Sequence, residues 1–207
     1  VAVAEPASVN IGLVVGADCA LVIDAGSTPA QGQEILAQAQ AMAGVPVKYA
    51  LVTHWHWDHY FGLVGFGSAA DLTSLGHETL DAWLSRPELA FEAQKLKVPV
   101  ADLAGPSVPV ADVLTLELGG TLVEVGFYGR GHTDGDLVAF IPSRNVLFAG
   151  DLVEESGPPV VDFDSFVEEW PGTLRRILAR LDDETTIVPG HGKPVSTAFV
   201  RAQAASL

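Results

Sequence analysis

The sequence predicts a mixed α/β fold, and three observations carry that expectation. Strand-like and helix-like segments alternate along all 207 residues with no Ser- or Pro-rich linker between them. The first strands come as a hairpin rather than as βαβ units, which disfavours a Rossmann-type sheet. Three of the six histidines and one aspartate crowd into residues 54–59, at the end of a predicted buried strand. Apolar residues make up 48% of the chain, enough to bury a core, and charged residues only 18%, too few for a disordered segment. One domain over 1–207 is therefore expected.

Each element has a local reason. Residues 9–15 (V-N-I-G-L-V-V) and 19–23 (C-A-L-V-I) read as hairpin strands around Gly16, Ala17 and Asp18. A helix follows over about 30–43, stopped by Gly44 and Pro46. V-K-Y-A-L-V-T, 47–53, reads as a buried strand. A short strand is expected at 69–74, helices at 76–85 and 87–97 divided by Pro87, and a loop over 98–112. V-L-T-L-E-L and T-L-V-E-V-G-F-Y flank Gly119-Gly120 as a hairpin, and 137–141 with 145–149 form another. Residues 152–164 read as irregular. Ser165 and Glu168 have capping-box spacing, so a helix is expected from there to about 181, with Trp170-Pro171 as a break or restart. A short strand at 186–188 and a last helix starting near Val195 complete the chain.

Charge limits the partners. The net charge of −15 repels phosphate backbones and anionic lipid, and Arg175-Arg176 is the only adjacent basic pair. Nucleic acid and membrane are excluded as expected partners, and a small-molecule substrate is expected instead. No run approaches the ~20 apolar residues of a membrane span. The first residues show no basic region followed by an apolar one. Cys19, the one cysteine, lies in an apolar run and has no intrachain partner, which fits a reducing compartment. A cytoplasmic location is the expectation.

The chemistry is concentrated in T-H-W-H-W-D-H, 53–59. His54, His56 and Asp58 alternate, so an extended chain would point them one way, whereas His59 breaks the alternation and is free to aim elsewhere. One such segment can serve two adjacent metal sites. His132 (G-R-G-H-T-D-G-D), Asp151 (L-F-A-G-D) and His191 (P-G-H-G-K-P) also follow predicted strands, where a rigid sheet positions functional loops. Imidazole and carboxylate without thiolate suit Zn²⁺, Mn²⁺ or Fe²⁺. His77 is read as a non-ligand at a helix start, and Trp55 and Trp57 as packing beneath the loop. Tyr60 and Phe61, next after the cluster, are expected to contact substrate. The acidic stretch 154–164 reads first as a solvated loop. As a site element it would form one wall of the pocket, with Glu154 facing substrate and disfavouring anions.

T-H-W-H-W-D-H, G-H-T-D-G-D, F-A-G-D and P-G-H-G, in that order and preceded by D-A-G-S at 24–27, resemble the metallo-β-lactamase superfamily. The resemblance implies a four-layer αβ/βα sandwich with metals at one edge. Matched by position, it assigns His54, His56 and His132 to a first metal and Asp58, His59 and His191 to a second. Asp151 would bridge them, and Asp24 would orient a ligating imidazole. Two zinc ions are implied, with iron or manganese as alternatives. The implied reaction is attack by a hydroxide shared between the ions, with Asp58 orienting the nucleophile or passing on a proton. Asp151 stands where β-lactamases of this fold have no bridging aspartate, and Glu154 where acyl-homoserine lactonases have tyrosine. Neither the glutathione-binding region of glyoxalase II nor the basic exosite of the nucleases is expected here. A dinuclear hydrolase of a small ester, thioester or lactone is the expected activity. An iron-dependent oxidoreductase resembling the persulfide dioxygenases, or a β-lactam hydrolase, is the alternative.

Overall fold

Apolar residues at alternate positions of many short strands build two sheets that bury a face against each other. The structure, a computed structural model, describes residues 2–4, 9–67 and 72–207. One sheet holds β2 (Val9–Val15), β3 (Ala20–Ile23), β4 (Val47–Leu51), β5 (Thr73–His77) and β6 (Val108–Val110). β1 (Ala2–Ala4) pairs antiparallel with β2, β2 pairs antiparallel with β3, and β3 to β6 run parallel. The other sheet is β7 (Val113–Glu117), β8 (Leu122–Phe127), β9 (Leu137–Ile141) and β10 (Val146–Glu154), all antiparallel neighbours. β11 (Thr186–His191) joins β10 in parallel, and β12 (Val195–Ser196) pairs with β11. The register His191 opposite Val9 links β11 to β2, so the strand order runs β6-β5-β4-β3-β2-β11-β10-β9-β8-β7.

The period of two decides which face each side chain takes. Leu137, Ala139 and Ile141 of β9 enter the inter-sheet core with Val123 and Val125 of β8 and Leu21, Ile23, Leu51 and Leu75 of the first sheet. Val138, between them in sequence, faces the other way, toward α5 (Trp170–Leu178) and α6 (Thr197–Ser206). Val22 likewise turns away from the inter-sheet core, toward α1 (Pro29–Ala43). α2 (Trp57–Tyr60), α3 (Leu80–Trp83) and α4 (Pro87–Leu96) share a second apolar cluster on that outer side. Helices therefore flank both outer faces, giving the four-layer αβ/βα order.

Several boundaries differ from the sequence expectation. His77 ends β5 instead of starting a helix, because 73–77 pair with both β4 and β6; the helix beyond it spans only Leu80–Trp83. The stretch expected as loop contains β6. Of the strand expected at 69–74, residues 69–71 lie outside the described residues. Ser165 caps no helix: its hydroxyl donates to the His132 carbonyl and accepts from the Asp162 amide. α5 begins at Trp170 instead, with Pro171 in its first turn, where a missing amide costs nothing. At α1, Thr28 accepts from the Gln31 amide and Gly44, at φ 68°, ends the helix in the left-handed region.

One close contact pins the histidine-rich segment to this frame. A 3₁₀ turn, Phe61–Phe66, continues α2 and lies against α1. A Cβ on Gly32 of α1 would collide with the Gly62 carbonyl. The Gly62 amide donates to Gly26 at 2.8 Å and the Ala25 amide to the His59 carbonyl at 2.9 Å. Gly32→Ala is therefore expected to cost about 1–3 kcal/mol as overpacking, read as a lower urea midpoint. Gly157→Ala, in open space, should stay within about 0.5 kcal/mol of the parent.

Candidate metal centre

The segment after β4 changes conformation within four residues, and that change sorts its side chains. His56, at φ −59° and ψ 142°, precedes the helical turn of α2. The amides of His59 and Tyr60 both donate to the His56 carbonyl at 3.0 Å. His54 and His56 thus leave an extended stretch, while Asp58 and His59 leave a helical one. His132 arrives on the loop between β8 and β9, Asp151 within β10, and His191 at the end of β11.

These residues converge at one edge of the sandwich. His54, His56, His132 and Asp151 each place one donor atom within 4.8 Å of the others, and so do Asp58, His59 and His191. His132 Nε2 lies 2.9 Å from His56 Nδ1 and 3.5 Å from Asp151 Oδ2. His54 Nε2 lies 3.8 Å from Asp151 Oδ2. On the other side His191 Nε2 is 3.2 Å from Asp58 Oδ2 and 3.5 Å from Asp151 Oδ2, and His59 Nε2 is 3.2 Å from Asp151 Oδ1. Asp151 thus faces both groups.

The remaining ring nitrogens are held from behind. His59 Nδ1 meets Asp24 Oδ2 at 2.8 Å, and Asp24 also accepts from the Thr53 amide at 2.8 Å. Asp24 takes φ 62°, a left-handed conformation that aspartate tolerates better than most residues. His54 Nδ1 meets the Thr53 hydroxyl at 3.1 Å, His56 Nε2 meets Asp164 Oδ2 at 3.0 Å, and His132 Nδ1 meets the Val160 carbonyl at 3.2 Å. Carboxylate and carbonyl partners require N–H on that side, which leaves the opposite nitrogen of each of these rings for the centre. Asp164 does double duty by also accepting from Trp55 Nε1 at 2.7 Å.

Three buried atoms at the centre, His54 Nε2, His59 Nε2 and Asp151 Oδ1, have no hydrogen bond. A buried polar atom left unsatisfied is costly. Unpaired donors of these types, aimed at one another from rings locked on the far side, fit divalent cations.

The charges point the same way. Burial pulls His59 down, but the carboxylates of Asp151, Asp24 and Asp58 outweigh it and hold the ring well above its ordinary value. His191 is likewise opposed by burial, yet its hydrogen bonds to Asp151 and Asp58 raise it to about 10. Burial drives His132 down to about 4, and burial with the neighbouring His59 and His56 drives His54 well below the usual range. Asp136, three residues past Thr133, is pushed up to about 7 by burial, although the Thr133 amide and hydroxyl donate to it.

A cavity of about 720 Å³ opens over the centre. Asp58, Asp151 and His191 lie at it, and Trp57, Phe91 and Phe163 supply apolar lining. Trp55 both packs and lines: it stacks on Trp83 at 4.0 Å and 7°, and it reaches the cavity. The stretch 154–164 forms part of the wall through Val160, Asp162 and Phe163.

Three expected substrate contacts are corrected. Tyr60 and Phe61 are buried at 1% and 0% exposure in the α2–α4 cluster, with the Tyr60 hydroxyl donating to the Ala104 carbonyl. The helical turn at 57–60 rotates them away from the cavity and into the core. Glu154 does not line the cavity; it is buried beside Asp151 and His191, where Oε1 accepts from the amide and hydroxyl of Ser156. Sequence reading missed Asp164, Thr53, Glu88 and Phe91. Thr53, directly before the motif, was the one within reach of inspection; Asp164 lies 108 residues from His56 in an irregular segment.

A family model described as the metallo-beta-lactamase superfamily matches residues 4–191. A metallo-beta-lactamase type 2 of Bacteroides fragilis is 24% identical over 193 residues, covering 91% of this chain and 70% of that protein. Another, from Bacillus sp. (strain 170), is 28% identical, and the chain spans only 52% of its length. Among solved structures, a metallo-beta-lactamase from Pontibacter korlensis superposes with a TM-score of 0.78 at 24% identity, covering 94% of this chain and 86% of that one. That structural likeness establishes the fold.

Two measurements probe the centre. Asp164→Asn should weaken binding at the His54–His56–His132 group about 10- to 100-fold by releasing His56, read by metal titration of the stripped protein. Metal uptake should also release protons, because His59 and His191 hold theirs at neutral pH in the metal-free protein. The sign follows from the raised values. Affinity at that group should climb with pH toward about 10, and calorimetry in buffers of different ionisation enthalpy should count the protons. In the metal-free protein, the stability that protonated His191 confers is complete below about 6.5 and is lost as pH rises through about 10.

Proposed function

The chain belongs to the metallo-beta-lactamase superfamily of metal-dependent hydrolases, and on that premise we propose that it is a dinuclear hydrolase of a small ester, thioester or lactone. The observation that carries the reading is the convergence of seven donor residues, three of whose buried atoms lack any hydrogen bond. His54, His56 and His132 would hold one ion, Asp58, His59 and His191 the other, and Asp151 would be shared. Zinc suits this nitrogen-rich set, with iron or manganese as the alternatives. Bound there, the ions would polarise a substrate oxygen and make water nucleophilic near neutral pH.

The chain's own residues do the rest. Asp58 lies at the cavity. Burial works against its ionisation, but the charge of His59 and a hydrogen bond from His191 outweigh it and hold Asp58 below the usual carboxylate range. An ionised Asp58 can orient the attacking water and accept its proton. Trp57, Phe91 and Phe163 offer an apolar wall for the acyl or leaving group and exclude water. Among the described residues, every acidic or basic side chain at the cavity other than histidine is a carboxylate, with Glu88, Glu92 and Asp162 joining Asp58 and Asp151. Glu88, Glu92 and Asp162, away from the ions, favour a substrate that is neutral or cationic on that side. Anion exclusion, first read into Glu154, thus passes to these three carboxylates.

A β-lactam is the second reading, favoured by the names of the relatives. Its ring carboxylate would meet the same acidic wall, which ranks it below the uncharged esters. The substrate class and the single buried cysteine favour a cytoplasmic small-molecule enzyme. Among the described residues no helix is long and apolar enough to cross a membrane.

Metal content comes first. Protein purified without chelator should carry close to two zinc per chain; one iron, with oxygen consumed in the presence of persulfide, would replace this reading by the oxidoreductase. A matched series of aryl esters bearing no charge, a trimethylammonium or a carboxylate should then show kcat/KM lower by about tenfold or more for the carboxylate, by ordinary charge repulsion. Equal rates across the series would remove the charge assignment. Asp58→Asn should lower kcat by about 10²–10⁴.

A further inference from the structure

Glu154 is the buried acid that this mechanism leaves unused, and its position is specific. It ends β10, directly opposite His191 of the parallel neighbour β11, so the two side chains leave the same face of the sheet. The register slips between Gly150 and Glu154, which lets Asp151 and Glu154 reach the same place although three residues separate them. One carboxylate oxygen of Glu154, one of Asp151 and a ring nitrogen of His191 all lie within 4.8 Å of one another. Glu154 is only 4% exposed.

The amide and hydroxyl of Ser156 both donate to Glu154 Oε1, at 3.0 and 2.6 Å. Among the described residues no lysine or arginine pairs with it. Asp58, Asp151 and Glu154 thus each place a carboxylate near His191. Beside them, His59 Nε2 and Asp151 Oδ1 are buried with no hydrogen bond. Buried carboxylates that lack a cationic side chain are normally paired with a metal ion or protonated.

We propose that Glu154 is an additional ligand of the second metal site, reached through Oε2 while Ser156 holds Oε1. This rests on the dinuclear reading. The donor sets are then unequal. The first group offers three imidazoles and a shared carboxylate. The second offers two imidazoles and three carboxylates. Imidazole-rich sets favour zinc, and carboxylate-rich sets accept harder ions such as Mn²⁺. The second site is therefore the one better able to hold manganese when manganese is offered without zinc.

The test uses the full chain, stripped with chelator and titrated with Zn²⁺, Mn²⁺ or Co²⁺. Calorimetry, metal content after gel filtration and the cobalt visible spectrum are the readouts. Glu154→Gln should weaken the second equivalent at least tenfold, leave the first unchanged and abolish manganese uptake at the second site. Its metal-free melting temperature should stay level, since glutamine keeps an oxygen that can accept from Ser156, while the rise in Tm on metal addition shrinks. Glu154→Asp, which keeps the charge but draws it back, should fall between the two. A merely structural glutamate would do the reverse, lowering the metal-free Tm with both affinities intact, and that result overturns the proposal. Two ions bound equally well by parent and Glu154→Gln overturn it alone. One ion bound by the parent overturns the dinuclear reading and this proposal with it.

Discussion

The structure depends on holding the Asp151 carboxylate between two sets of imidazoles that cannot satisfy one another. Oδ2 lies near His54, His132 and His191, and Oδ1 near His59. These groups sit at the edge of a sheet, buried, with donor atoms lacking hydrogen bonds. Four of the rings, His54, His56, His59 and His132, already use their other nitrogen outside the centre. The fold must supply the stability that this cluster withholds, and the inter-sheet core is where it does so.

Backbone geometry around Asp151 shows how tightly the position is set. Gly150 takes φ 52°, and a Cβ there would press on the Thr53 side chain. A Cβ on Gly190 would collide with Asp151 Oδ1 itself. Gly190 thus makes room for the carboxylate, and Gly150 for the Thr53 side chain beside it. Thr53 in turn touches Asp24 and His54, which couples the end of β4 to both donor groups. The supports are short, buried and mostly charged or charge-assisted, so small displacements of the sheet edge would be felt at the donors.

The cavity adds a second asymmetry. One wall comes from α4 and another from the 154–164 segment, and both bring aromatic rings together with carboxylates. Trp55 links wall and centre: it stacks on Trp83, its indole N–H donates to Asp164, and Asp164 also holds His56. Trp83 donates to Asp134 on the loop that carries His132, at 2.9 Å. Substrate pressing on the tryptophan face would therefore bear on residues that orient two of the imidazoles.

What the sequence determined by itself is what local spacing and alternation encode. The H-x-H-x-D-H spacing, the glycines beside His132, Asp151 and His191, and the two-residue period of the strands were enough to single out the candidate donors that the fold brings together and to pick out the hairpins. Each of those signals lies within a few residues. The tertiary structure alone decided the rest. Asp164 reaches His56 across 108 positions, and no local pattern records such a pairing. Tyr60 and Phe61 sit next to the ligands in sequence but on the opposite side of a helical turn, so proximity along the chain misled. Glu154 looked like a surface acid until the slip in β10 placed it opposite His191. A chain specifies its local geometry through short-range sterics and hydrogen bonding, whereas the groups that meet at an edge between two sheets are chosen by register and packing, which exist only once the whole fold has formed.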